Sequence, residues 1–147
     1  MFLKGEKLIS RLDGIIHEGT QVNESGLDLT VDKIFSLECR GDLDFGGGER
    51  KDSGLNELIP EKRKEEDDYG WWELEEGLYI IEYNEEPASG EENIGLVVPL
   101  ERLLRNGGFH PSVPAENSLS GSCLLIVGKE GLALKENARI SRLVAWR

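Results

Sequence analysis

Apolar and polar residues alternate along parts of this chain in the way expected of β-strands. Between residues 27 and 32, leucine and valine alternate with aspartate and threonine. This period of two predicts a strand with one face buried and the other toward solvent. The run 34–37 either continues or pairs with that strand, and further apolar runs predict strands at 78–83, 94–98 and 140–146. We also expect the runs 124–127 and 132–134 to pair as a hairpin.

Helical periodicity is confined to short segments. Leu3, Leu8, Ile9 and Leu12 can share one helical face, which predicts a short helix over residues 3–12. Residues 100–105 are long enough for one further helical turn. Many short strands with few helical residues predict an all-β fold, either a β-sandwich or a barrel.

The segment at about 39–70 has a different composition from the rest of the chain. It contains three consecutive glycines at 46–48 and a run of eight charged residues from Glu61 to Asp68. Such runs are typical of solvated loops. We therefore expect a single domain over residues 1–147, with an acidic loop excursion at about 39–70.

The net charge of −12 does not favour nucleic acids or anionic membranes as partners, because both are polyanions. Residues 1–98 contain 10 Lys and Arg against 25 Asp and Glu, whereas residues 99–147 contain 7 against 4. Residues 99–147 are therefore better suited than residues 1–98 to bind a small anionic ligand. No apolar run approaches the roughly 20 residues of a membrane span, and no signal peptide is evident, so we expect a cytoplasmic protein.

Cysteine and histidine are too sparse for a structural zinc site. The chain has two cysteines, Cys39 and Cys123, far apart and outside any CxxC pattern, and two histidines. We expect each cysteine to be a buried free thiol.

Three stretches match known motifs in order and spacing, namely Gln21–Leu29, Pro99–Gly107 and Leu134–Val144. The first has an Asp-Leu pair after a small residue. The second lies where an Arg-Ser-Ser-x-x-Arg-x-Gly signature is expected, and the third matches a Gly-x-Arg-Ile-x-Gln-Leu strand. Together they resemble the dUTPase and dCTP deaminase family, in particular archaeal-type dUTPases of the deaminase-like branch.

The resemblance implies a distorted β-barrel or jelly roll of the dUTPase-like type with one short N-terminal helix. It also implies a homotrimer with sites between subunits, which bind a deoxynucleoside triphosphate, dUTP or dCTP, together with Mg²⁺. In the family, Asp28 would support the metal–triphosphate region, which makes it an indirect metal residue. The alternative is a strand or turn residue that bonds nearby backbone N–H groups.

Four arginines are candidates for phosphate binding, because guanidinium donors form a planar fork that suits phosphate. Arg105 and Arg139 match arginines of the family motifs. Arg102 and Glu101 replace the two serines that contact phosphate, and Arg142 replaces a glutamine. A carboxylate at 101 would repel a triphosphate unless it points away or recruits a metal ion, and Arg102 would offset the repulsion if it faces the same site.

The water-activating base is expected in the segment 113–121, where the family has an aspartate. Counting from Val113 puts Ala115 at that position, and counting back from Gly121 puts Glu116 there. Glu116 is thus the candidate base, one methylene longer than aspartate. Leu119 replaces the tyrosine that lies under the sugar.

These residues predict a dUTP nucleotidohydrolase, which converts dUTP to dUMP and pyrophosphate, with an impaired phosphate cradle. The alternative is an inactive homologue that serves as a nucleotide-binding or regulatory trimer. Deamination of dCTP is less favoured, because the strand after Gly121 offers Leu124, Leu125 and Ile126 instead of a carboxylate. A third possibility is an unrelated jelly-roll binding domain.

Overall fold

The computed structural model describes the backbone of residues 1–147 and every side chain except that of Ser122. It is built mainly from antiparallel strands, which confirms the all-β prediction. The strands are β1 Leu12–Asp13, β2 Val22–Asn23, β3 Gly26–Leu37, β4 Leu55–Leu58, β5 Trp71–Leu74, β6 Gly77–Tyr83, β7 Glu86–Pro87, β8 Leu96–Pro99, β9 Gly108–Phe109, β10 Val113–Pro114, β11 Cys123–Val127, β12 Leu132–Lys135 and β13 Arg139–Val144.

Helical structure is short, as predicted. The expected N-terminal helix forms as two 3₁₀ turns, at Gly5–Lys7 and Ile9–Arg11. The α-helices are α1 Glu18–Gln21, α2 Glu101–Arg105 and α3 Ala115–Asn117. Among the described residues, none of the helices has the length and apolar composition of a membrane span.

The main sheet has the strand order β10-β8-β13-β3-β6-β11-β9, and β2 and β4 also pair with β3. The long strand β3 pairs with β13 along its first half and with β6 and β4 along its second half. Its pairing with β6 shifts between Val31 and Lys33. The shift places one extra residue in β3. Such an insertion bends a strand and increases its twist, so the sheet curls into a half-barrel.

The apolar core fills the curled sheet and includes Leu27, Leu29, Ile81, Leu125 and Leu143, all completely buried. The alternation in β3 is therefore correct for the apolar positions. The expectation that the alternate face meets solvent is wrong for Asp28 and Thr30, which are 1% and 3% exposed. The reason is that Arg139 and Arg142 cover the Asp28 side chain, and the loop after β6 covers Thr30.

The predicted hairpin between residues 124–127 and 132–134 is wrong. β11 pairs with β6 and β9, whereas β12 pairs with β5 in a separate two-stranded sheet. The buried-thiol prediction holds for Cys123 and is wrong for Cys39, which is exposed.

Part of the segment 39–70 is tied to the sheet. β4 lies inside it and pairs with β3, and Glu61 forms an antiparallel bridge with Trp71. The guanidinium carbon of Arg63 lies 3.7 Å from the centre of the Trp71 ring. The charged run therefore crosses the surface between two anchored ends.

Candidate functional site

A buried carboxylate forms ion pairs with two arginines of the neighbouring strand. Asp28 on β3 accepts from Arg142 Nε at 2.8 Å and from Arg139 Nη1 at 3.1 Å. Asp28 is 1% exposed, whereas the two arginine side chains are 27% and 26% exposed. We name Asp28, Arg139 and Arg142 the arginine cluster.

A register shift between Arg139 and Ser141 brings both arginines to the same side of β13. Arg139 is opposite Thr30, whereas Ser141 is already opposite Leu29, so one residue is inserted in β13. A bulge of this kind reverses the side-chain alternation beyond it. Arg139 and Arg142, three residues apart, therefore both face Asp28.

Backbone and side-chain partners hold the two guanidinium groups. Arg139 Nη1 also donates to the Thr20 carbonyl at 3.1 Å, and Arg142 Nη1 donates to Ser25 Oγ at 3.0 Å. Gly26 is needed beside Arg142, because a Cβ there would lie 2.9 Å from Arg142 Cγ and 2.3 Å from a backbone oxygen.

Both arginines retain donors for a ligand. A guanidinium has five N–H donors. In the described hydrogen bonds, Arg139 uses only Nη1, and Arg142 uses only Nε and one hydrogen of Nη1. The remaining donors can bind an anion without first breaking the contacts to Asp28.

A cleft of about 270 Å³ lies beside the cluster, between α2 and β12–β13. Arg102 and Asn106 line one side, and Arg139 lines the other. Its floor is apolar and consists of Leu103, Leu132, Ala133, Leu134, Ala138 and Ile140. This arginine cleft offers cationic groups around an apolar surface, an arrangement that suits a ligand with a phosphate end and a planar or apolar end.

Arg105 has a different environment from the other three arginines. Its Nε lies 3.1 Å from Glu101, one turn earlier on α2, and both side chains are 78% exposed. Arg105 therefore pairs with Glu101 at the surface, and Arg102 is the α2 residue that lines the arginine cleft.

The candidate base also lies outside the arginine cluster. Glu116 Oε1 accepts the backbone N–H of Ile94 at 3.0 Å, while Ala115 is completely buried and bonds Gly95 O at 2.8 Å. Both residues thus anchor the loop before β8. Of the two alignments, only the one with Glu116 supplies a carboxylate.

Leu119 lines a second cleft, of about 380 Å³, which we name the acidic cleft. Its other lining residues are Asp32, Glu82, Tyr83, Glu85, Glu86, Ser120 and Gly121. The accessible carboxylates among them, Asp32, Glu82 and Glu86, would repel a triphosphate at this surface. Within one chain, Leu119 and the arginines therefore line different clefts.

Gln21 and Glu85 are two buried polar residues beside the arginine cluster that are absent from the residues predicted for the site. Gln21 Nε2 donates to the Asp28 carbonyl at 2.9 Å and to Glu85 Oε1 at 2.8 Å. Burial raises the pKa of Glu85, although hydrogen bonds from Thr30 and Gln21 oppose this effect. One signal was available in the sequence, because Gln21 is the first residue of the matched stretch Gln21–Leu29.

Comparisons with known proteins find several similar chains. A probable deoxyuridine 5′-triphosphate nucleotidohydrolase of Aeropyrum pernix is 31% identical over 152 residues, which cover 100% of this chain and 89% of that protein. A protein of the same description from Methanosarcina mazei is 30% identical over 92% of this chain and 77% of its own length. No protein-family model matches.

Proposed function

This chain belongs to the deoxyuridine 5′-triphosphate nucleotidohydrolase (dUTPase) family, and we propose that it binds dUTP and hydrolyses it slowly to dUMP and pyrophosphate. The observation that carries the proposal is the pair Arg139 and Arg142, held by buried Asp28 with donors left over. Such an arrangement is preorganised for a triphosphate, because the cations are already in place before the anion arrives.

In the proposed complex, Arg139 and Arg142 bind the phosphate oxygens, and Arg102 approaches from the opposite side of the arginine cleft. The apolar floor receives the uncharged part of the nucleotide. Hydrolysis adds water to the α-phosphorus and breaks its bond to the bridging oxygen, so that pyrophosphate leaves. The guanidinium groups stabilise the negative charge that develops on the phosphates.

We attribute the slow turnover to water activation. The lining of the arginine cleft contains no carboxylate among the described side chains, Asp28 pairs with two arginines, and Glu116 bonds the backbone. A general base must come within hydrogen-bond reach of the attacking water, directly or through one further water. Glu116 uses only Oε1 for Ile94 N in the described hydrogen bonds, but its side chain does not line the arginine cleft.

The same contacts support a second candidate function, a homologue that binds the nucleotide without hydrolysing it. Both candidate acids are engaged in bonds that stabilise the fold. Deamination has less support, because β11 contains only Cys123, Leu124, Leu125, Ile126 and Val127 and thus no carboxylate.

Mg²⁺ enters the proposal only as a partner of the nucleotide. Among the described residues, no group of three His, Cys, Asp or Glu side chains could hold a metal ion. Both Asp28 oxygens face arginines. The residues present therefore do not fit a protein-bound Mg²⁺, and we assign them no step through it. Calorimetric titration of the protein with dUTP, in the presence and absence of Mg²⁺, tests whether the metal ion strengthens nucleotide binding.

We further propose a homotrimer, in which residues of neighbouring subunits complete each site. Exposed Arg105 and the separation of Leu119 from the arginine cluster support this proposal. Light scattering coupled to gel filtration measures the mass directly. A monomer of 16.4 kDa at all concentrations would contradict it.

The central experiment measures pyrophosphate release and calorimetric binding with dUTP and dCTP. Arg139→Ala should weaken dUTP binding about tenfold or more, the loss expected for a charge-assisted hydrogen bond. Arg50→Ala is the control, because Arg50 pairs with Asp52 at an exposed position. Binding without pyrophosphate supports the second candidate, and absence of binding by any deoxynucleoside triphosphate excludes both.

A further inference from the structure

We propose that Glu85 is a positioning residue, whose buried carboxylate holds Asp28 and Arg139 in the geometry that binds a triphosphate. The inference rests on the proposed function for its ligand. Glu85 makes no described contact with either arginine, so its influence must pass through other residues. Two hydrogen-bonded routes connect it to the arginine cluster.

Every described partner of the Glu85 side chain is a hydrogen-bond donor. Thr30 N lies 3.0 Å from both carboxylate oxygens, Thr30 Oγ1 lies 2.6 Å from Oε1, and Gln21 Nε2 lies 2.8 Å from Oε1. The side chain is 1% exposed. A carboxylate accepts only, so these donors match its ionised form and fix its orientation.

The first route passes through Gln21, whose side chain has four described hydrogen bonds. Its Nε2 donates to Glu85 and to the Asp28 carbonyl, and its Oε1 accepts the backbone N–H groups of Ile16 and His17, each at 2.9 Å. All four bonding positions of an amide side chain are therefore used. Gln21 cannot turn without breaking several of these bonds.

Gln21 is the last residue of α1, and the residue before it contacts the arginine cluster. The carbonyl of Thr20 accepts from Arg139 Nη1 at 3.1 Å. Because Glu85 fixes Gln21, it also fixes this carbonyl and hence one of the two acceptors that orient Arg139. The other acceptor is the Asp28 side chain, and the backbone carbonyl of the same residue accepts from Gln21 Nε2.

The second route passes through Thr30 to the turn that precedes β13. Thr30 Oγ1 donates to Glu85 and accepts from Asn84 Nδ2 at 2.9 Å. Asn84 Nδ2 also donates to Asn137 Oδ1 at 2.9 Å. Asn137 has φ 66°, a left-handed conformation, two residues before Arg139. This contact supports the turn from which the Arg139 backbone emerges.

The first test compares crystal structures of Glu85→Gln and of Glu86→Gln. In Glu85→Gln, the new side-chain amide would bring a second NH₂ donor against the Gln21 and Thr30 donors. We expect Arg139 Nη1 to move from 3.1 Å to beyond hydrogen-bond distance of Asp28 in Glu85→Gln. Glu86 is the adjacent, exposed residue, so the same change there should leave Arg139 in place. An unmoved Arg139 in Glu85→Gln would overturn the proposal.

The second test measures calorimetric binding of inorganic triphosphate. We expect about tenfold weaker binding for Glu85→Gln, within the range of one charge-assisted hydrogen bond, and less than about twofold change for Glu86→Gln. If Glu85 acts through Arg139, the double variant with Arg139→Ala should bind no more weakly than Arg139→Ala alone. Full additivity, or a change confined to the unfolding midpoint, would show a purely structural role.

Asn84→Ala is a milder variant, for use if Glu85→Gln does not fold. It interrupts only the second route and leaves the buried carboxylate with its donors. We expect about threefold weaker triphosphate binding, a modest loss for an indirect contact, and a displaced Asn137 turn in the crystal structure. An undisplaced turn with unchanged affinity would contradict the route. If wild-type protein binds no nucleotide, the proposed function fails, and the Arg139 position in these variants still decides whether Glu85 positions it.

Discussion

Two polar networks lie on opposite faces of β13 and differ in their access to solvent. On one face is the arginine cluster, in which about a quarter of each arginine side chain is exposed. On the other face is a network of His110, Ser141, Tyr83 and Cys123, which we name the closed network. His110 and Ser141 are completely buried, and Tyr83 and Cys123 are 8% and 1% exposed.

The side chains of the closed network can form one continuous chain of hydrogen bonds, in which each group donates to the next. The Pro111 carbonyl, 2.9 Å away, requires the His110 proton on Nδ1, so Nε2 accepts from Ser141 Oγ at 2.7 Å. Ser141 Oγ then accepts from Tyr83 Oη, which in turn accepts from the Cys123 thiol at 3.2 Å. Each group donates one proton, so this tautomer leaves no side-chain donor of the network unused.

The comparison separates two uses of buried polarity. The closed network uses its donors internally, which satisfies the core and leaves nothing for a ligand. The arginine cluster combines a buried acid with more N–H donors than it uses. Changes in the closed network should therefore affect stability alone, whereas changes in the arginine cluster should affect stability and anion binding.

The largest effect is expected from Asp28→Ala. It leaves two partly buried guanidinium groups without their counter-ion, and loss of one partner in such a pair costs about 3 kcal/mol or more. Urea unfolding measures the loss. Asp32→Ala is the matched control, because Asp32 is exposed on the same strand. Equal unfolding free energies for the two variants would contradict the structural role of Asp28.

Ser141→Ala should break the closed network at its centre. It leaves His110 Nε2 without its donor and Tyr83 Oη without its acceptor, at a cost of about 1–3 kcal/mol. Affinity for triphosphate should be unchanged, because Ser141 faces away from Asp28. A tenfold loss of affinity in folded Ser141→Ala would show that the two networks are coupled and would remove the distinction between them.

Arg102→Ala tests whether the arginine cleft belongs with the arginine cluster. Arg102 is exposed at the edge of the cleft, so its contact with a phosphate is partly screened by solvent. We expect about fivefold weaker dUTP binding, equivalent to roughly 1 kcal/mol, with no loss of stability. Arg50→Ala is the control, because Arg50 pairs with Asp52 at an exposed position outside the cleft. A larger effect in Arg105→Ala would indicate that a neighbouring subunit uses Arg105.

The smallest effect is the pH dependence of the closed network. Burial lowers the pKa of His110 from 6.5, so stability should fall as pH decreases through about 6.5, where the unfolded chain gains a proton. Burial raises the pKa of Cys123 from 9.0, so stability should also fall as pH increases above about 9. Each group contributes at most about 1.4 kcal/mol per pH unit.

Urea unfolding across pH checks this prediction. In His110→Leu, the free energy of unfolding should fall less than in wild type as the pH decreases through about 6.5. His17→Asn should retain it, because His17 is exposed and its role as helix cap, accepting from Thr20 N, suits asparagine. An identical acid decline in wild type and His110→Leu would show that other groups cause it. Glu85 acts in the opposite sense, since its raised pKa makes stability fall as pH rises through and above 4.5.

Local patterns were sufficient to predict β6, β13 and the turn α2, because each contains a short apolar run with breaking residues beside it. The pairing of β11 and β12 was not predictable, since their partners lie far away in the sequence at β6 and β5. Glu85 and Gln21 escaped notice for a related reason. Their importance comes from each other and from Asp28, across as many as 64 positions of chain.

Most strands, the family motifs and the residue types of the arginine cluster were readable from the amino-acid sequence. Regular alternation would have placed Arg139 and Arg142, three residues apart, on opposite faces of β13. The fold reverses this arrangement, because β13 must stay in register with β3 and β8 while accommodating an extra residue. That single bulge turns both guanidinium groups toward Asp28 and leaves Ser141 to the closed network.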